Sequence, residues 1–445
     1  MFERFLQARQ HERDRSELGL LVTDCRQLLT ERGESNSLAI AARALVRYQA
    51  LSTASRQQFF EVLATDFDPD PADILLLAQK YAASQSPEDL IRLSKAAEPP
   101  RQELLRLLNG APGATGVIVG MREGLLQLLR TDRRLLAVDS DLEHLLSSWF
   151  SPGFLTLVRV DWNSPAALLE RLIKHEAVHA IDGWDDLRRR LEPDRRCFAF
   201  MHPVLAGEPL IFVEVALLKE VPPAIAPLLD RETPEAAAPR FKVAAFYSIS
   251  NCQPGLRGIN LGNFLIKRVA EQLSSEFPSL KTFCTLSPVP GFTDWLARTT
   301  AIESGKLSMD KHRRISETLA GLRRRHQQDL RTLATAVATG QAKPVDEEAL
   351  RSLCACYLLQ AGRHTGDRAA DAAPAGEGDP VARFHLNNGA RLERINAQAD
   401  LSRKGIRQSY GLMVNYLYDL DEIESNHQAF VNGSVSASRA VTSLI

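Results

Sequence analysis

The feature that most constrains this chain is a change of periodicity at Ser151-Pro152-Gly153. From about Ser16 to Trp149, apolar residues recur at helical spacing, with no run of the two-residue alternation that a half-buried strand needs. Beyond it, β-branched and aromatic runs alternate with helices. Two helix starts in the first stretch are sharp. Asp70-Pro71-Ala72-Asp73 offers a capping carboxylate, a proline where the missing N–H is harmless, and an acid in the first turn; Ser86-Pro87-Glu88-Asp89 repeats the device. Such a chain folds as an all-α domain over residues 1–150, a scaffold or oligomerisation surface, followed by a mixed-sheet domain over 151–445.

Composition supports two packed domains and narrows the partners. Of 445 residues, 44 % are hydrophobic and 24 % charged, as in ordinary globular proteins. The 54 basic and 55 acidic residues leave a formal charge of -1, which attracts neither nucleic acid nor an anionic membrane, so an anionic ligand must be met locally. No apolar run approaches the roughly 18 to 20 residues of a membrane span. Met1-Phe2-Glu3-Arg4-Phe5-Leu6 lacks the apolar core of a secretory signal, and the six cysteines form no C-x-x-C; these features are expected of a cytoplasmic protein with free thiols.

The second domain reads in a definite order. A strand at 154–160 and a helix capped at Ser164-Pro165 lead to a hairpin of 196–201 and 210–217 around Ala206-Gly207-Glu208-Pro209. A strand at 241–250, a glycine-bearing loop, a helix from about Gly262 to Phe277 and a strand at 282–286 follow. Helices return from Ser308 to Leu359, and residues 362–380 form a polar loop. A helix from about Pro380 to Ala399, a strand at 410–418, and a tail from Glu424 with a mobile segment and a short helix complete the expectation.

Four segments carry chemistry, and each has a bland reading beside the functional one. His175-Glu176-Ala177-Val178-His179 matches H-E-x-x-H, in which two imidazoles one helical turn apart bind zinc; a third ligand is missing where glycine and histidine would be needed, and two polar residues near a helix end explain the letters as well. The loop Gln253 to Phe264 has glycines that let several N–H groups face one phosphate, with the following helix N-terminus adding partial positive charge; its spacing fits neither G-x-x-x-x-G-K-[ST] nor G-x-G-x-x-G, and a plain structural turn is the alternative. Leu286-Ser287-Pro288-Val289-Pro290-Gly291-Phe292 stops a strand and leaves Ser287 at its carboxyl end on a stiff support. Phe384-His385-Leu386-Asn387-Asn388-Gly389-Ala390 places one histidine in a helix, where a lone imidazole is more often structural. Cys354-Ala-Cys356, in an apolar helical run, has no second ligand pair nearby.

Taken together these segments resemble the malonyl-CoA decarboxylase family. The resemblance rests on Phe246-Tyr247-Ser248-Ile249-Ser250, Gly255-Leu256-x-Gly258-x-x-Leu261-Gly262-x-Phe264, the Ser287 and His385 segments, Glu176-Ala177-Val178-His179, Gly207-Glu208-Pro209-Leu210 and Gly411-Leu412-Met413-x-Asn415-Tyr416-x-Tyr418. It implies a helical domain used in homo-oligomerisation, as dimer or tetramer, and a catalytic domain of the GNAT acyltransferase fold. There, two neighbouring strands splay at a bulge to admit the pantetheine arm of acyl-CoA. It further implies conversion of malonyl-CoA to acetyl-CoA and carbon dioxide without metal, biotin or pyridoxal phosphate, the CoA being part of the substrate. By the same resemblance Arg257, Gly258, Ile259, Asn260, Leu261, Gly262 and Asn263 meet the CoA pyrophosphate, Ser287 and His385 contact the malonyl group, and Tyr418 lines the pocket. The chemistry assigns His385, with an unperturbed pKa of about 6.5, as proton donor and Ser287 as hydrogen-bond partner and proton acceptor, the reverse order being the alternative. Asn260 stands where some relatives have an acid, so no catalytic carboxylate is expected in that loop. Competing functions are a GNAT acyl-CoA N-acyltransferase, a non-catalytic acyl-CoA sensor and an H-E-x-x-H zinc hydrolase.

Overall fold

The structure, a computed structural model, describes residues 2–230, 241–259, 261, 265–302, 307–360 and 378–445, the side chains of residues 2–11 and of Pro152 excepted. The chain divides into two compact units. The first comprises Met1–Thr156 together with two excursions from later in the chain, Met201–Leu210 and Cys252–Leu261. The second comprises Leu157–Phe200, Ile211–Asn251 and Gly262–Ile445.

Helices build the first unit, from Phe2–Thr30 to Leu136–Trp149. The expected starts are made as the sequence directs: Asp70 Oδ1 accepts the N–H of Ala72 at 2.8 Å, and Ser86 Oγ accepts that of Asp89 at 3.2 Å. The core is the apolar stripes of the longer helices, with Leu21, Leu28, Ile40, Phe59, Leu104 and Ile118 all buried. The pair Pro71–Ser84 and Pro87–Ala97 differs, because the first buries no residue and the second only Asp89. Its leucines and isoleucine at 75, 76, 90 and 91 are 43 to 63 % exposed.

The second unit is built on a mixed sheet. Its strands are β1 (Thr156–Val160), β2 (Arg195–Met201), β3 (Pro209–Leu218), β4 (Val243–Asn251), β5 (Thr282–Thr285), β6 (Ser287–Pro288), β7 (Arg391–Asn396) and β8 (Met413–Tyr418), in the order β1-β2-β3-β4-β5-β8-β6, with β7 also on β8. β4 runs antiparallel to β3 and parallel to β5; β8 runs antiparallel to β5, β6 and β7. The parallel pair brings a connection with it, the helix Leu265–Glu276, as parallel strands require.

Two expectations are corrected here. The helix expected from Pro380 to Ala399 stops at Asn387, and residues 391–396 form β7 instead. Gly389 at φ +76° makes the turn, and pairing of Leu392 with Tyr416 and of Ile395 with Val414 outweighs local helical preference. The tail from Glu424 is packed: a helix Ile423–Val431, a bridge from Ala437 to Leu392, and a buried Val441 and Ile445. Most of the expected polar loop, residues 361–377, lies outside the described residues, whereas Asp379 is buried at its end. No described helix is long and apolar enough to cross a membrane.

Gly389 yields a test of this corner. A Cβ there would run into the Ile423 carbonyl, and the positive φ already disfavours any other residue. Gly389→Ala should destabilise the protein by at least about 2 kcal/mol, read as a lower urea midpoint at unchanged slope.

Candidate active site

The site begins with a fault in the sheet. Opposite β3, Glu214 faces Ser248 and Val215 faces Phe246, so Tyr247 is an extra residue and β4 is bulged there. The parallel pairing of β4 with β5 ends at the same level, at Phe246 and Thr285, with a last bond from the Leu286 N–H to the Phe246 carbonyl at 2.9 Å. Past that point β4 stays with β3 as far as Asn251, while Ser287 and Pro288 pair with Val414 and Met413 of β8. The two strands therefore part beyond Phe246 and Thr285.

Ser287 stands on the β6 side of that fork, and His385 reaches it from the helix Pro380–Asn387. Ser287 Oγ lies 2.9 Å from His385 Nε2, and His385 Nδ1 lies 2.8 Å from Tyr418 Oη. All three side chains are buried, and the imidazole is stacked on the ring of Tyr416 at 4.6 Å between centroids. Burial lowers the His385 pKa to about 3, well away from the 6.5 expected of a free imidazole, and raises that of Tyr418 well above 10. At neutral pH the pair is thus a neutral imidazole and a neutral phenol.

The two supports of this pair are locked together by Asp379. Its Oδ1 caps the histidine helix by accepting the N–H groups of Val381 and Ala382, each at 3.0 Å, and its Oδ2 accepts the Gly291 N–H of the serine loop at 3.0 Å. Gly291 is required at that place because a Cβ would collide with the Tyr357 hydroxyl. Burial pushes the Asp379 carboxyl up, with the three N–H bonds pulling the other way. The Asp379-Pro380 pair has the same cap signature as Asp70-Pro71, but it sits in a stretch expected to be loop.

The glycine loop belongs to the first unit as far as Leu261, and there it can be described at Arg257, Gly258, Ile259 and Leu261; Asn260, Gly262 and Asn263 lie outside the described residues. Arg122, which no sequence pattern singles out, is buried and donates to the carbonyls of Gly255 at 3.1 Å and Arg257 at 2.6 Å, its own charge paired with Asp139 at 2.8 Å. Gly255 packs on the Val119 backbone with no room for a Cβ, and Gly258 has φ +87°. The N–H groups of Arg257, Ile259 and Leu261 donate to carbonyls of Pro254, Leu256 and Ile259, so these three are not among the outward-facing donors expected of this loop.

The H-E-x-x-H letters do not lie on one helix. The helix Ala166–His175 ends before Glu176, whose carboxylate accepts the N–H groups of Val178 and His179 at 2.8 and 2.7 Å and turns the chain away. The same carboxylate accepts the hydroxyls of Ser248 at 2.7 Å and Ser250 at 3.0 Å, which fastens it to β4 just past the bulge. His179 is buried and lowered to about 4 by that burial. Two imidazoles one helical turn apart, the geometry a zinc hydrolase needs, are not formed.

Residues 67–150 match the family profile described as the malonyl-CoA decarboxylase N-terminal domain, and residues 153–445 that of the malonyl-CoA decarboxylase C-terminal domain. The chain belongs to the malonyl-CoA decarboxylase family. It is similar to the mitochondrial malonyl-CoA decarboxylase of Mus musculus, with 35 % identity over 83 % of this chain and 75 % of the relative, and to that of Anser anser anser, with 34 % over 89 % and 81 %. Among solved structures, malonyl-CoA decarboxylase from Rhodopseudomonas palustris is 44 % identical with a TM-score of 0.81, covering 96 % of this chain and 99 % of that one. The enzyme from Agrobacterium vitis is 47 % identical with a TM-score of 0.78, over 95 % and 99 %. A helical region followed by a mixed-sheet domain is thus the family architecture as well as the one expected from the sequence.

The low pKa values of His385 and His179 set a pH dependence. Each histidine is neutral when folded and takes a proton near pH 6.5 when unfolded, so below that pH the unfolded state binds more protons and stability falls from about pH 6.5 down to about 4 for His179 and about 3 for His385. Above about pH 7 these two groups should leave the urea midpoint unchanged. Glu214, pushed up to about 8 by burial, and Asp379, also raised, act in the opposite sense, so the check is relative: on acidification from pH 7 to 5 the wild type should lose urea midpoint against His179→Gln, and a constant difference would contradict the buried neutral state.

Proposed function

We propose that the decarboxylation of malonyl-CoA to acetyl-CoA and carbon dioxide, the reaction of this malonyl-CoA decarboxylase, runs through a Ser287–His385 pair with no metal or organic cofactor. The single observation that carries the reading is the 2.9 Å contact between Ser287 and a neutral His385 in a buried setting beside the parted strands. In the reaction the bond from the α-carbon to the malonyl carboxylate breaks, its electron pair moves into the thioester as an enolate, and carbon dioxide leaves. One proton must then reach the α-carbon. His385 Nε2 supplies it, Tyr418 holds the far side of the ring at Nδ1, and Ser287 accepts the hydrogen bond of the resting imidazole. Dry surroundings favour loss of a carboxylate whose charge ends up dispersed. The loop from Arg257 to Asn263 is assigned to the CoA pyrophosphate; the left-handed Gly258 and the helix that follows support this.

An acyl-CoA N-acyltransferase is the second reading, and the histidine speaks against it. An amine acceptor arrives as an ammonium ion, and a group whose conjugate acid has a pKa of about 3 does not deprotonate it. We further propose self-association through the exposed apolar residues of the Pro71–Ser84 and Pro87–Ala97 pair, and a reducing compartment, the cytoplasm, on the strength of six buried free thiols.

Metal-free protein incubated with malonyl-CoA should release acetyl-CoA without any amine present. Ser287→Ala and His385→Asn should each lower kcat by at least about 10²-fold with KM little changed, the pattern of an interaction made mainly in the transition state. Wild-type turnover by both variants would overturn the assignment. Light scattering at micromolar concentration should show a dimer or tetramer, reduced towards monomer by Leu75→Asp with Ile91→Asp; a wild-type monomer would refute self-association.

A further inference from the structure

Resting on that assignment of Ser287 and His385, we infer that Thr285 is a positioning residue that fixes the direction of the hydrogen-bond chain and thereby makes His385 the proton donor. Thr285 is the last residue of β5 and fully buried. Its Oγ1 accepts two hydrogen bonds, from the Ser287 hydroxyl at 2.8 Å and from the Tyr416 N–H at 3.3 Å. A hydroxyl oxygen has two acceptor sites, and both are taken. The Ser287 proton therefore points at Thr285, so towards His385 the serine offers only a lone pair. Nε2, 2.9 Å away, must then carry the hydrogen.

The rest of the chain follows from this polarity. A neutral imidazole with its hydrogen on Nε2 is an acceptor at Nδ1, and the Tyr418 hydroxyl, 2.8 Å from that atom, is the donor it needs. The order is Tyr418 O–H to Nδ1, Nε2–H to Ser287 Oγ, Ser287 O–H to Thr285 Oγ1. When Nε2–H passes to the α-carbon, the Nδ1 side can take up the Tyr418 proton, and solvent returns one proton per turnover, which balances the loss of carbon dioxide from the malonyl anion. Reversal of the chain would put the hydrogen on Nδ1 and leave Nε2 as an acceptor, unable to protonate carbon. The Tyr416 N–H also ties Thr285 to β8, so the oxygen cannot swing away without leaving a buried donor unpaired.

The test uses the full-length protein and three readouts. Thr285→Val keeps the shape and removes the oxygen; kcat should fall by roughly 10- to 100-fold with KM for malonyl-CoA within about threefold, whereas Thr285→Ser, which restores the oxygen, should return kcat to within about threefold of wild type. In protein labelled with ¹⁵N-histidine, long-range nitrogen–proton spectra should show His385 protonated at Nε2 in the wild type. This measurement stands even where the valine variant folds poorly. Wild-type kcat in Thr285→Val, equal impairment of Thr285→Ser and Thr285→Val, or an Nδ1-protonated His385 in the wild type would each overturn the inference. If Ser287→Ala and His385→Asn are themselves fully active, it is the underlying assignment that fails instead.

Discussion

The end of the β4–β5 parallel pairing is the constraint on which the catalytic unit depends. One extra residue, Tyr247, breaks the register with β3 at the level where the bond from Leu286 to Phe246 is the last between the two strands. Had the ladder continued, Ser287 would be one more residue of β5. Because it stops, β6 is free to join β8, and two prolines and Gly291 turn the chain into the loop that Asp379 holds. Glu176 secures the other side of the fork through Ser248 and Ser250. The fork is thus held on both arms, by β8 on one and by Glu176 on the other.

Burial does the electrostatic work at the site. The imidazole is kept neutral by burial alone, between two hydroxyl neighbours; no charged partner is needed for the shift. A charged His385 would have been the stronger acid but would cost desolvation energy at every moment of the resting state. Under the proposed mechanism the base to be served is a carbanion at the α-carbon, which takes a proton from groups that water would leave untouched. The buried polar chain is linked from Tyr418 to Thr285, whereas the neighbouring Tyr416 hydroxyl has no partner among the described residues.

Local signals were legible in the sequence and tertiary ones were not. The caps at Asp70 and Ser86 lie within their own turns, so the residues that make them are adjacent in the chain. Strand β7 was read as helix because its residues carry no alternation strong enough to oppose the helix before it; its partners on β8 are some twenty residues away. The H-E-x-x-H letters misled for the opposite reason, since their meaning depends on a helix that Glu176 itself terminates. Ser287 and His385 stood out through resemblance, as each segment alone fits a bland reading. Thr285 was invisible: a threonine in an apolar strand is ordinary until Ser287 and Tyr416 are seen on the same oxygen.

The acid shift of His385 bears on how one sheet can serve different acyl-CoA reactions. Transfer to an amine needs a base matched to ammonium near neutral pH, which calls for a solvated or charge-stabilised group. Decarboxylation needs no base at all, because the departing carboxylate supplies the electrons. It needs a dry site, a fixed thioester and a proton held ready. A histidine sealed between Tyr416, Tyr418 and Ser287 is poor for the first task and suited to the second. On the proposed mechanism, the reaction type depends less on which residue is present than on how deeply β8 and the helix Pro380–Asn387 bury it.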